Sequence, residues 1–258
     1  MCQLKSCLVL KDRVYCPDYD SHQDMLDKLG IKDDYLGASK TFVRVELMPP
    51  DGMQSLIEPL SRWTLKVDQD VTPEWWDAEA DRQRVEEAVE AWRREHVYTE
   101  GEHSVKAGKV YASGSATVKA YDRAMVKASG SATVKAYDRA MVKASGSAMV
   151  EAYGSATVEA FGSAKVEAWD SATVKAWDSA TVKAYDRATV KAWERATVEA
   201  FGSATVIACD SATVEAYNSA TVEAYNSTTV KAYNSAVVFY PRKKKIVYPA
   251  RWTAETHD

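Results

Sequence analysis

Ser171-Ala172-Thr173-Val174-Lys175-Ala176-Trp177-Asp178-Ser179-Ala180-Thr181-Val182-Lys183-Ala184-Tyr185-Asp186 is one eight-residue phrase written twice. Positions two, four and six are Ala, Val and Ala. Positions three, five and seven are Thr, a charged residue and an aromatic. This period-two alternation describes a strand with one small apolar face and one large polar face. A helix is excluded, because an eight-residue period would carry the Val stripe around a 3.6-residue turn. The phrase continues in both directions: Val recurs every eight residues from Val110 to Val238, giving 17 units between 107 and 242. Position eight is Gly, Asp or Asn in 15 of them, with Glu194 and Arg242 the exceptions. These residues accept a left-handed backbone or bond their own main chain, as a corner requires. Each octad is therefore expected to supply a six-residue strand and a two-residue corner.

The number of octads per coil is read from position seven. In a sixteen-residue register one column reads Tyr121, Tyr137, Tyr153, Trp169, Tyr185, Phe201, Tyr217 and Tyr233, aromatic at every level. The opposite column collects Ser113, Ser129 and Ser145 before turning to Phe161, Trp177, Trp193, Cys209 and Tyr225. A twenty-four-residue register scatters the serines over three columns, and an Ala-Val-Ala interior suits two closely pressed sheets better than a triangular prism. The competing explanation is recent duplication, since 115–130 and 131–146 are identical. The expected fold is mostly β: a two-sided β-solenoid of about 17 octapeptide repeats over 101–242, two per coil, preceded by a small α+β domain over 1–100. Residues 243–258 would form a C-terminal cap or tail, with capping from Phe239 to Trp252. About eight and a half coils at roughly 4.8 Å each make a rod of about 40 Å. Such a rod needs covered ends, because an open coil exposes unpaired strand edges.

The first hundred residues carry no repeat. Cys7–Leu10 and Arg13–Cys16 read as a hairpin across Lys11-Asp12. Ser21 with Asp24 makes a capping pattern for a short helix that Gly30 stops. Thr41–Leu47 and Trp63–Val67 alternate as strands, the first ended by Met48-Pro49-Pro50-Asp51-Gly52. Thr72-Pro73 reads as the start of a long helix reaching His96, with Glu74, Asp77 and Glu79 at its positive end and Arg93-Arg94 at its negative end. Val85, Ala88, Val89 and Trp92 give that helix an apolar face. This head is expected to dock on the first coil, with Trp63, Trp75, Trp76 and Trp92 in its core and seam.

Chemistry-bearing motifs are sparse. A net charge of −4 offers no global basic field for nucleic acid. Cys2, Cys7, Cys16 and Cys209 lack the paired spacing of a disulfide scaffold or zinc site and are expected to be reduced, structural thiols. Asp18, Asp20, His22 and Asp24, with Cys16, alternate like metal ligands but match no metal spacing, and read as a solvated helix start. His96, His103 and His257 have no nucleophile nearby in sequence, and no phosphate loop or nucleophile elbow occurs. No catalytic residue, metal site or cofactor is expected, and the chain reads as a non-enzyme. Without a leader or an apolar run of about 18 residues, it is expected to be soluble, off the membrane and cytoplasmic.

The candidate partner-binding residues are therefore the ladder aromatics Tyr137, Tyr153, Trp169, Tyr185, Tyr217 and Tyr233, with Trp177 and Trp193 of the opposite column. A basic run, Arg242, Lys243, Lys244 and Lys245, would contact phosphate or block end-to-end polymerisation. Position five mixes signs (Lys119, Lys135, Glu151, Glu167, Lys183, Glu199, Glu215, Lys231), which breaks any basic track, although Lys beside Tyr is locally a stacking platform for nucleic acid. Thr157, Thr173, Thr189, Thr205 and Thr221 would form a five-level ladder like those of ice-binding solenoids, but flanked by charge. A protein partner is expected first; a homodimer through a solenoid face, nucleic acid, or ice or surface binding are the alternatives.

The octads resemble the Ser-Ala-Thr-Val-x-Ala-Tyr arrays of uncharacterised phage and bacterial proteins. Phe42-Val43-Arg44-Val45-Glu46-Leu47, Trp63 to Asp70 and Pro73-Glu74-Trp75 are similar to the leader domain ahead of such arrays. The resemblance implies a phage or prophage setting, a bacterial or infected host cytoplasm, and the possibility of an inhibitor of a host defence or nucleic-acid-processing complex. It carries over no catalytic residue.

Overall fold

A computed structural model of the chain describes residues 5–32, 41–50, 56–241 and 245–248. The chain forms two compact units, Met1–Val97 and Tyr98–Asp258.

In the first unit the hairpin closes where Leu10 N donates to Arg13 O, across Lys11-Asp12. It joins β1 (Lys5–Leu10) to β2 (Val14–Tyr15). α1 (His22–Leu29) starts at Ser21, whose side chain accepts from Asp24 N, and stops at Gly30 in the left-handed region, φ 67°. β3 (Phe42–Met48) and β4 (Thr64–Val67) complete an antiparallel sheet of order β2-β1-β3-β4. Its two faces bury different sets. Leu8, Leu10 and Phe42 meet Met25 and Leu26 of α1. Cys7, Val9, Val43, Val45 and Leu47 meet Trp63 and the Val85 and Val89 of α2 (Ala78–His96), with Trp75 and Trp76 packed on the same cluster.

α2 begins later than the Thr72-Pro73 signal suggests. Asp77 takes the cap, its carboxylate accepting from Glu79 N (2.9 Å) and Ala80 N (3.0 Å), while Asp81 reaches back to Asp77 N (3.1 Å). Asp77 thus satisfies the first free amides of the helix. Residues 72–77 form a turn instead, closed by Trp76 N on Pro73 O.

The second unit is a β-solenoid. From β7 (Lys109–Ala112) to β23 (Val237–Tyr240), each octad contributes one strand, and successive strands alternate between two parallel sheets. Each residue lies beside the one sixteen positions away: Val158 opposite Val174 opposite Val190 in one sheet, Val166 opposite Val182 opposite Val198 in the other. Two octads therefore make one coil. The strands are shorter than the alternation suggests, four residues such as Thr173–Ala176. Four-residue corners replace the two-residue ones: Ala172 N bonds Trp169 O at 3.0 Å, a tight turn that draws positions seven to two out of the strand. The Ala-Val-Ala face is buried along the rod, from Val110 to Ala224.

All sixteen residues at position eight from Gly114 to Asn234 are left-handed, with φ from 54° to 66°. Glu194, an exception by sequence, adopts the same geometry at φ 58°. The acidic corners also answer a hydrogen-bonding need. The amide of a corner residue can be met by the carboxylate one coil on: Gly162 N by Asp178 (2.8 Å), Asp178 N by Glu194 (3.0 Å), Gly154 N by Asp170 (3.0 Å).

The rod starts before the octads. β5 (Val97–Tyr98) and β6 (Glu102–Val105) add a first coil whose sequence lacks the consensus, making about nine in all. β6 is offset by fifteen residues, with Val105 opposite Ala120. At this junction Gly114 is obligatory, since a Cβ there would stand 2.5 Å from Thr99 O. At the other end β24 (Lys245–Val247) runs antiparallel to β23, pairing Val238 with Val247 and Tyr240 with Lys245, and covers that edge of its sheet. Of the expected cap, 242–244 and 249–252 lie outside the described residues, as do Asp51, Gly52, Cys2 and His257.

Asp178→Ala removes the acceptor for Gly162 N and places a plain Cβ residue in the left-handed region. It is expected to lower stability in urea unfolding of the full chain by about 1–2 kcal/mol. Asp178→Asn keeps both properties and is expected to cost less.

Candidate functional site

The sixteen-residue register builds the aromatic ladder. Each position-seven ring sits at the end of a strand with its backbone N–H on the previous coil, as in Tyr185 N to Ala168 O at 2.8 Å. The eight rings from Tyr121 to Tyr233 lie in one column, with successive centroids 4.0 to 6.3 Å apart and planes within 7–11° of parallel. Tyr137, Tyr153, Trp169, Tyr185 and Tyr217 are half-buried, and Tyr233 is 41% exposed. The opposite column is shorter: Phe161, Trp177 and Trp193 stack at 4.6 and 5.0 Å, below a run that starts with Ser113, Ser129 and Ser145.

Neighbouring charges hold the rings. Tyr153 and Tyr217 donate to Glu151 and Glu215, two residues earlier, each at 2.8 Å. Those carboxylates also face Lys135 at 3.1 Å and Lys231 at 3.0 Å on the adjoining coils. The Glu151 bond pushes the Tyr153 hydroxyl up to about 12, and the Glu215 bond does the same to Tyr217. Glu215 is held below the usual carboxylate range by Tyr217 and then by Lys231. Glu151 is lowered too: partial burial opposes the shift, and the bonds from Tyr153 and Lys135 outweigh it. The product is a strip of stacked rings in which Tyr153 and Tyr217 are also held by carboxylates.

Other position-five charges pair between coils: Lys143 with Glu159 at 2.8 Å, Glu159 with Lys175 at 3.5 Å, Lys183 with Glu199 at 3.8 Å. These exposed pairs are each worth little, but they neutralise stretches of both faces. The Thr157, Thr173, Thr189, Thr205 and Thr221 ladder is in register on the larger sheet, beside Glu159, Lys175, Lys191, Ile207 and Glu223. Met125 and Met141 stand next to each other on that sheet, 40% and 46% exposed, where Thr is usual. Of the basic run, Lys245 is exposed in β24; Arg242, Lys243 and Lys244 lie outside the described residues.

The structure disperses the alternating acids of the head. Asp18 meets His96 (2.9 Å), Asp20 meets Lys5 (3.0 Å), and the Asp24 amide serves the Ser21 cap. His22 instead joins Glu46 of β3 and Asp68, their ligand atoms within 4.8 Å of one another. Its Nδ1 is 3.4 Å from Asp68, and its Nε2 lies 3.2 Å from Val45 O. Sequence spacing hides this triple because its members come from three separate segments. Lys66 already supplies a cation there, 3.7 Å from Glu46 and 3.9 Å from Asp68.

No family model, curated protein or solved structure matches the chain. Among the described residues no helix is long and apolar enough to cross a membrane.

The ladder has a titration signature. Tyr153 and Tyr217 should ionise near pH 12, where an ordinary tyrosine does so near 10, as read by tyrosinate absorbance. The proton is held more tightly in the folded chain, so the associated stability is complete below pH about 10 and lost as pH rises towards about 12. Glu151→Gln and Glu215→Gln should each return one tyrosine towards the ordinary value.

Proposed function

We propose that this protein is a non-enzymatic protein–protein interaction module whose rod presents the Tyr121–Tyr233 aromatic edge to a partner. The unbroken eight-level column carries the reading: it is pre-oriented, half-exposed and bordered by charge. Aromatic anchors ringed by polar groups dominate binding energy at protein interfaces, and rigid ones lose little entropy when covered. The resemblance to phage octad arrays favours a phage setting. There the rod would act by steric blockade of a host defence or nucleic-acid-processing complex in the bacterial cytoplasm. The opposed lysines and glutamates between coils favour a protein over a nucleic-acid backbone, which calls for a continuous basic track. A second copy of this chain is the other reading, favoured by exposed Met125 and Met141 on one sheet.

The test is affinity purification from bacterial lysate, with and without nuclease, using the full chain and a Tyr185→Ala/Tyr217→Ala variant. A nuclease-resistant protein should be recovered by the wild type. The double variant should bind it with an affinity lower by about 2 kcal/mol, roughly thirtyfold, while its melting remains cooperative. Equal binding by the variant removes the ladder from the interface. Recovery of nucleic acid alone, lost on nuclease treatment, removes the protein partner; a concentration-dependent dimer with nothing else bound supports self-association instead.

A further inference from the structure

The cysteines of the head are placed by the hairpin rather than by spacing. Leu10 N bonds Arg13 O, Val9 faces Val14 and Leu8 faces Tyr15. Continuing the register sets Cys7 opposite Cys16. Hydrogen-bonded and non-hydrogen-bonded pairs alternate along an antiparallel ladder, so Cys7 and Cys16 fall at a non-hydrogen-bonded pair. Such pairs hold their Cα atoms about 4.5 Å apart, within the range a disulfide spans. Both side chains join one apolar cluster with Val45 and Trp63.

The two thiols are unlike. Cys7 is fully buried, whereas Cys16 is only partly so. The hydrogen bond between them, with burial, pushes the Cys7 thiol well above its ordinary range. The same bond, helped by the Lys5 charge, lowers Cys16. Lys5 is itself unusual, a lysine 2% exposed. Its ammonium bonds Pro17 O, Tyr19 O (3.4 Å) and Asp20 (3.0 Å), and lies 4.8 Å above the Trp92 ring. A cation fixed in so dry a place favours a thiolate beside it, although Asp20 opposes that.

We propose that Cys7 and Cys16 form a redox-active dithiol that exchanges with low-molecular-weight disulfides, Cys16 attacking and Cys7 resolving. The Cys16 thiolate attacks one sulfur of RS–SR, forming Cys16–S–S–R and releasing RS⁻. Cys7 then gives up its proton to that thiolate and attacks the Cys16 sulfur, closing Cys7–S–S–Cys16 and expelling the second RS⁻, which takes a proton from solvent. Two protein thiols are oxidised, and one disulfide is reduced to two thiols. The site is independent of the aromatic ladder.

The experiment incubates the full chain with oxidised glutathione, quenches with acid, unfolds and alkylates, and maps the products by mass spectrometry. The wild type should lose two alkylatable thiols and two hydrogens of mass, with the peptides of Cys7 and Cys16 joined. Cys7→Ser should trap glutathione on Cys16, and Cys16→Ser should leave the buried Cys7 unmodified while folded. Two fully alkylatable thiols in the oxidised wild type would identify inert core cysteines and overturn the proposal without any variant. A bridge from Cys2 to either partner would overturn it as well.

Discussion

Each coil of the rod must bring the chain back to within one strand spacing of where it stood sixteen residues earlier. Like then lies over like: Val on Val and Ala on Ala inside, ring on ring along the edge. The left-handed corner at position eight makes that return possible. It restricts the position to Gly, Asp and Asn, with Glu194 accommodated because its carboxylate reaches the amide of Asp178. An interior of Ala and Val gives little apolar area per level, so the rod gains from adding levels rather than from deepening its core. Stacked aromatic pairs contribute about 0.5–1.5 kcal/mol each beyond their area, and the ladder repeats such a pair at every step.

The same repetition sets what the rod presents. Its inside is closed by small side chains, and much of the charge on its faces is cancelled between neighbouring coils. The aromatic edge remains, an extended strip of stacked, nearly parallel rings. Its rings are stacked along the rod, and two of them, Tyr153 and Tyr217, are also tied by hydroxyl bonds to Glu151 and Glu215. A surface so ordered would lose little freedom if covered, and this supports the proposal that it is a contact surface.

The solenoid and its coil size were legible because Val recurs without a break and because Ser113, Ser129 and Ser145 fall in one column only at sixteen residues. Strand length was not, since the turn from position seven to position two removes two alternating residues from each strand. The expected start of the solenoid at 101 takes in β6 but not β5, and β6 keeps the inside-outside pattern of a strand without the octad residues, one residue out of step. In the head, caps and strands followed local residues well, and Asp77 displaced Thr72 because its carboxylate meets two amides at once. The triple of His22, Glu46 and Asp68, and the facing of Cys7 and Cys16, depend on which strands pair, and spacing along the chain does not record that.

The distance between spin labels at Lys135 and Lys231 tests the sixteen-residue coil most directly, in a background with every native cysteine replaced by serine. Both positions lie on the outer face of the same solenoid sheet, the one that contains β6. Two octads per coil put six strand spacings between them, about 29 Å before label length is added. Three octads per coil would also return the two positions to one face, but only four spacings apart. A distance near 19 Å would therefore contradict the two-sheet rod.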